Sequence, residues 1–341
     1  MLRSGSSRRG VVAALLASVG LLSVGGSPAS AADKIKYGLL AGPQTVHIGI
    51  DKGFFKKYDL EVEPIVFRSG AEIVPALSTG QIDIAATAPG AALYNALARG
   101  VNAKIVGDYI VFEKLPSLSG AVVRKDLYDS GKIRTPKDLK GAKVAVTARG
   151  QAMQLLAGKL LETVELKESD VNMVFMPQPD MLVGLKSGAI DVMFNSDPFI
   201  TIAGDEKFGV ELVNMYTIVP DFTLGVVMYG NRVLTDRGLG LRFMKGFTEA
   251  NRFLRSHEKM PGREEVVQIY QKHFPVKDPA LYERSRFGTG RDTMESNVHG
   301  KNGLSEQLKW YAHRGLIPTP PNLDASVDNS FAREAAEALA K

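Results

Sequence analysis

Short apolar runs alternate with helical patterns along the first two thirds of the chain. Lys34 to Leu39 alternates weakly and predicts a strand, and Val46 to Lys52 continues as a helix stopped by Gly53. Leu60 to Phe67 predicts a second strand, placed at an edge or a bulge because Pro64 has no N–H to give a central ladder. Ser69 and Glu72 have capping-box spacing ahead of a helix over Ala71 to Ser78. Gly80 stops that helix and Ile82 to Ala86 reads as a short buried strand. Thr87-Ala-Pro-Gly90 opens the helix Ala91 to Ala98, and Ala103 to Tyr109 is the next strand. This alternation predicts a doubly wound α/β sheet with mostly parallel pairing.

The same grammar recurs further on. Strands are expected over Leu118 to Val123, Lys143 to Val146, Val171 to Met176 and Val210 to Val213, with helices over Ala152 to Leu161 and Met181 to Ser187 between them. One unit is repeated almost residue for residue: Leu77, Gly80, Ile82 and Asp83 match Leu185, Gly188, Ile190 and Asp191 at a fixed offset of 108 positions. Each copy is a helix end, a glycine turn, a buried strand with one acid at its start, and a proline, Pro89 or Pro198. Two α/β halves of related plan follow. Phe222 to Tyr229 is a continuous apolar run that returns the chain to the first half. Beyond Arg232 the pattern turns helical, with Phe243, Phe247, Ala250 and Leu254 on one face.

Composition narrows the classes. The 341 residues suit two domains, and 45% apolar with 23% charged residues is ordinary for a soluble globular chain. The absence of cysteine excludes disulfides, thiolate metal sites, a cysteine nucleophile and a lipid anchor on cysteine. Arg3, Arg8 and Arg9, the apolar stretch Val11 to Val24, and Ala29-Ser30-Ala31 form a leader over residues 1–32, of Sec type with a weakly twin-arginine-like Arg8-Arg9. Without it 39 basic residues face 37 acidic ones, which gives no footing for nucleic acid.

Open α/β sheets bind ligands beyond the C-terminal ends of their strands. That rule selects Gln44, Thr45 and the following His47; Arg68, Ser69 and Gly70; and Thr87, Ala88 and Pro89 in the first half. In the second half it selects Thr147, Arg149 and Gln151, then Asn195 and Asp197. Several of these loops open helices, whose free N–H groups favour an anion. Arg68 and Arg149, one per half, suit a carboxylate or sulfonate; the alternative is a solvated arginine or an ion pair with Asp180 or Asp197. Asp197 is also placed to cap the helix after Pro198. Asp83 and Asp191 occupy equivalent structural positions and read as repeated hydrogen bonds to loop backbone, not as a catalytic pair. Met173, Phe175, Met176 and Phe194 read as core. The five histidines lack metal-ligand spacing, no nucleotide-binding glycine motif occurs, and neither metal nor cofactor is expected.

The runs Lys52-Gly-Phe-Phe-Lys-Lys-Tyr-Asp-Leu-Glu-Val-Glu63, Ala76-Leu-Ser-Thr-Gly-Gln-Ile-Asp83, Asn95-Ala-Leu-Ala-Arg-Gly100, Thr135-Pro-Lys-Asp-Leu-Lys-Gly141 and Ser187-Gly-Ala-Ile-Asp191 resemble the periplasmic solute-binding proteins of the nitrate/sulfonate/taurine type, a group that includes thiamine-pyrimidine-precursor binders. The resemblance implies a two-lobed type II binding-protein fold, two mixed sheets joined by two crossover strands. Lobe 1 would be residues 33–119 plus 226–341, and lobe 2 residues 120–225. It further implies a periplasmic monomer that closes on a small-molecule ligand and delivers it to the permease and ATPase of an ABC importer. Asp197-Pro198 departs from the Glu-Pro frequent in that family and shortens the reach of the carboxylate. A pyrimidine binder, an enzyme and a periplasmic sensor component are the competing readings; a pyrimidine-synthesising enzyme of this kind relies on cysteines that this chain lacks.

Overall fold

The computed structural model describes residues 32–340 apart from Ser69, Leu115, Met260, Pro275, Lys277 and Pro279; the expected leader falls outside them as far as Ala31. In chain order the first half runs β1 (Asp33–Leu40), α1 (Thr45–Asp51), β2 (Leu60–Phe67), α2 (Gly70–Ser78), β3 (Ile84–Thr87), α3 (Ala91–Ala98) and β4 (Ala103–Val111). There follow β5 (Ser119–Arg124), α4 (Lys125–Asp129), β6 (Lys143–Val146), α5 (Ala152–Glu162), β7 (Asn172–Phe175), α6 (Gln178–Ser187), β8 (Val192–Ser196), α7 (Phe199–Asp205) and β9 (Gly209–Asn214). The chain then enters β10 (Thr223–Gly230) and a helical tail: α8 (Asn231–Thr235), α9 (Arg237–Ser256), α10 (Arg263–His273), α11 (Ala280–Arg284), α12 (Leu304–His313), α13 (Leu323–Ser326) and α14 (Ser330–Ala338).

Two five-stranded sheets result, ordered β2-β1-β3-β10-β4 and β7-β6-β8-β5-β9. The pairing is more mixed than the alternation predicts. Only β2, β1 and β3, and β7, β6 and β8, pair in parallel; β10 and β5 run antiparallel to both neighbours. Each is the strand by which the chain arrives from the other sheet, so it enters from the opposite end. All eight residues of β10 are buried, as expected for a central strand covered on both faces. Pro64 lies on β2 at the sheet edge, where a missing N–H leaves no ladder partner unsatisfied.

The repeated acids do one job twice. Lys36 N donates to Asp83 Oδ2 at 2.9 Å and Lys143 N to Asp191 Oδ2 at 3.0 Å. Asp83 N and Asp191 N return bonds to the carbonyls of Lys36 and Lys143. The donors belong to the neighbouring strands, not to loops as expected. Each carboxylate also meets an arginine, Arg232 or Arg124. Gly80 and Gly188 adopt φ of +74° and +78°, the left-handed turn that reverses the chain from helix to strand at little steric cost.

Helices cover both faces of the first sheet. On one, Tyr37, Phe243, Phe247 and Phe331 pack with α9 and α14. On the other, a single apolar cluster extends from Leu77 and Leu93 through Phe112 and Phe222 to Val144, Leu155, Trp310 and Tyr311, and so joins the two sheets. Residues 288–297, without regular structure, cover the outer edge of β4: Val111 N bonds Thr289 O and Asp108 N bonds Met294 O. Buried Asn251 of α9 grips this segment, accepting from Gly290 N at 2.8 Å and donating to Arg291 O at 2.9 Å.

Candidate functional site

Three loops at the C-terminal ends of parallel strands converge. A Cβ on Gly70 would lie 2.9 Å from Thr87 Oγ1, so the loop after β2 abuts the end of β3. Ala91 N, the first amide of α3, donates to Gly150 O at 2.8 Å across the two sheets' halves. Gly90 has no space for a side chain there, since its Cβ would also lie 2.8 Å from that carbonyl. The loop Thr147–Gln151 therefore closes directly on the loop Thr87–Gly90. Thr87 and Pro89 are buried, Ala88 is half-buried, and Thr147 and Gln151 are half-buried with a weak contact at 3.5 Å between their side chains.

Arg68 and Arg149 are exposed at this rim. Neither guanidinium makes an ion pair among the described residues. Arg149 instead lies over the ring of Phe175, 5.5 Å from its centroid. Phe175, expected in the core, is 40% exposed at the end of β7. A cation–π contact holds a guanidinium without occupying its N–H donors. Gln44 is held by its side-chain amide to Leu40 O at 2.9 Å, while its Oε1 and the Thr45 hydroxyl are buried without a hydrogen-bond partner among the described residues. Unpaired buried polar atoms are costly and mark places where a ligand or water completes the bonding. Ser69 lies outside the described residues.

Three expected contact residues have other roles. His47 is buried, 4.7 Å from the His273 ring and 4.9 Å from Phe274. Burial, then the neighbouring His273, lowers its pKa to about 4, so it is neutral at pH 7. Asn195 is enclosed: it accepts from Gln178 Nε2 at 2.9 Å and donates to Gln178 O at 3.1 Å, which docks the start of α6 against β8. The Asp197 carboxylate is fully covered. One oxygen accepts from Thr201 N and Oγ1 at 3.0 and 2.8 Å, the other from Arg286 N and Nε at 2.8 and 2.6 Å.

Sequence reasoning missed Arg286. It reaches from the helical tail to Asp197 and, at 2.9 Å, to Glu211. Burial opposes its charge, but the two carboxylates outweigh that and hold its pKa above the ordinary value. Its surroundings, Ser285-Arg-Phe-Gly-Thr-Gly290, carry no periodicity, and both partners lie more than 70 positions away. Arg284, on the same side, pairs with Asp205 of α7.

The fold is shared with known proteins at low identity. The periplasmic aliphatic sulphonate binding protein SsuA from Escherichia coli superposes with a TM-score of 0.71 at 18% identity, covering 86% of this chain and 92% of that one. The periplasmic nitrate-binding protein NrtA from Synechocystis PCC 6803 gives 0.70 at 16%, covering 90% and 89%. The desulfurization enzyme DSZB gives 0.62 at 16%, covering 90% and 99%. The two-lobed architecture of the binding proteins is thus also that of an enzyme. Among curated protein sequences no relative matches. The model of the NMT1-like family matches residues 34–271, well over half of the sequence, and the chain belongs to that family.

Proposed function

We propose that this chain is the solute-binding component of an ABC importer, capturing a small organic anion of sulfonate or carboxylate type between its lobes. It would work as a periplasmic monomer, exported by its leader through Sec or Tat, and pass its cargo to a permease and ATPase. The lobes would comprise residues 33–119 with 226–341, and residues 120–225. The single observation that carries the anion is the pair Arg68 and Arg149: one guanidinium per half, exposed at converging loops, without acidic partners among the described residues. An arginine held by an aromatic ring and left unneutralised presents a fork matched to a planar or tetrahedral oxyanion. Gln44, Thr45, Gly70, Thr87, Ala88, Pro89, Thr147 and Gln151 would complete the contacts. Binding rather than catalysis is the reading because Asp83, Asp191 and Asp197 are all engaged in structural bonds.

Native mass spectrometry of the purified protein, then thermal shifts against sulfonates, carboxylates, nitrate and pyrimidines, identifies the class. Arg68→Ala and Arg149→Ala should each weaken an anion by roughly 1.5–3 kcal/mol, the worth of a charge-assisted hydrogen bond. Unchanged affinity in both variants, or selective binding of a neutral pyrimidine, removes the proposal.

A further inference from the structure

The helical tail crosses from one lobe to the other. Helix α12 packs against α3 and also against α5. On the α3 side, Tyr94 Oη donates to Leu304 O at 3.1 Å and Asn95 Nδ2 to Leu316 O at 2.9 Å. On the α5 side, Trp310, the chain's one tryptophan, sets the Cζ2 edge of its indole against Gly158, where a Cβ would sit 2.4 Å from that atom. Trp310 Nε1 donates to Glu162 at 3.1 Å. Arg314 stacks 3.5 Å above the indole ring and bonds Glu162 at 3.1 Å and Glu168 at 2.9 Å.

The contact continues to the rim. Glu168 accepts from Gln154 Nε2 at 2.8 Å. Gln154 is buried, and its Oε1 accepts from Gly150 N at 2.7 Å. Gly150 O in turn accepts from Ala91 N. An unbroken chain, Arg314–Glu168–Gln154–Gly150–Ala91, therefore begins on the tail, passes through α5, and ends on α3. Its fourth member is the residue next to Arg149.

We propose that the Trp310–Arg314 clasp latches the lobes together before any solute arrives and, through Glu168 and Gln154, fixes the backbone that carries Arg149. Separating the lobes would strip the indole from Gly158 and break both arginine bonds at once. The closed form is thereby favoured in the empty protein, and a solute meets a rim already set. The latch is independent of which solute binds, so its test needs none.

The test uses the full mature chain without solute. Small-angle scattering and iodide quenching of Trp310 are measured on the wild type, Arg314→Ala and the double variant Glu162→Gln/Glu168→Gln. The wild type should scatter as a closed particle with Trp310 protected. Both variants should expand and expose Trp310, the open fraction rising roughly tenfold or more as charge-assisted bonds are lost. Hydrogen exchange at the Gly150 amide should accelerate in Gln154→Leu, and to a lesser degree in the double variant. A wild type that is open when empty overturns the latch. So does unchanged scattering and quenching in the double variant, which keeps side-chain size should Arg314→Ala fail to fold. Unaltered Gly150 exchange in Gln154→Leu overturns the connection to the rim.

Discussion

Replacing Asp108 by asparagine should stabilise the protein at neutral pH and leave it unchanged in acid. Asp108 is fully buried on β4. Its Oδ2 accepts from Thr223 Oγ1 at 2.7 Å and from Asn297 N at 3.1 Å, while Oδ1 has no hydrogen-bond partner among the described residues. Burial pushes its pKa from 3.8 up to about 6, with Thr223, Ser296, Asn297 and Arg291 pulling it down; the Ser296 hydroxyl acts by proximity, without an aligned bond. The folded state therefore holds this proton more tightly than the unfolded chain. Stability falls as pH rises from about 4 to 6 and is regained on acidification. A raise of about two units corresponds to about 3 kcal/mol at pH 7.5. Asparagine keeps an acceptor for Thr223 and Asn297 and offers its amide to Ser296. The expected gain is about 1–3 kcal/mol at pH 7.5, shrinking toward zero near pH 4. Urea titrations of both proteins across this range give the difference directly, which cancels every other titrating group. A difference that does not vary with pH, or a loss at pH 7.5 larger than that at pH 4, would refute the reasoning.

His47 should produce the opposite slope. Its pKa of about 4 means that the unfolded chain takes up a proton first on acidification, so the wild type loses up to about 3 kcal/mol between pH 6.5 and 4. In His47→Gln that part of the pH dependence should vanish from urea midpoints; an unaltered slope contradicts the assignment. Asn251→Ala leaves Gly290 N unpaired, while Gly290 O keeps its bond from Arg255 and Arg291 O its bond from Met294 N, and should cost about 1–3 kcal/mol by the same measurement, against near-neutrality if the segment over β4 contributes no stability. Gly158→Ala would usually strengthen a helix interior, by about 1 kcal/mol. Here it should destabilise by about 1–2 kcal/mol because the new methyl displaces Trp310. A thermal midpoint at or above the wild-type value excludes that close contact.

The sheet strands and the helices of each half were legible because period and punctuation agree: Gly80 and Gly188 end helices, and Asp83 and Asp191 open strands. The place of β10 between β3 and β4 was not, since an apolar run states burial but not its neighbours. The rim was legible from topology alone, which placed Arg68 and Arg149 at strand ends. Topology misjudged Asn195 and Asp197 because it does not say which polar side chains are covered from behind. Gln178 lies 17 positions before Asn195 and Arg286 lies 89 positions after Asp197. Phe175 was misjudged for a related reason: β7 is an edge strand, so an apolar residue at its end need not be enclosed. Gly158, the partner of Trp310, gave no sign, because a glycine within a helix pattern reads as a weakness until the indole beside it is seen.

Where the chain leaves the first sheet and where it returns are the same place. Phe112 N bonds Phe222 O at 3.0 Å, Asp221 N bonds Phe112 O at 2.8 Å, and Thr223 faces Val111 on adjacent antiparallel strands. Residues 113–221 are thus threaded into a gap that a two-residue hairpin could close. A gene encoding the first sheet and the helical tail could acquire or lose that whole segment at one junction without re-routing a strand. The module could likewise be exchanged between relatives as a cassette. The graft would have to match at Gly158, Glu162 and Glu168, where the tail grips it, and at Asp197 and Glu211, where Arg286 does.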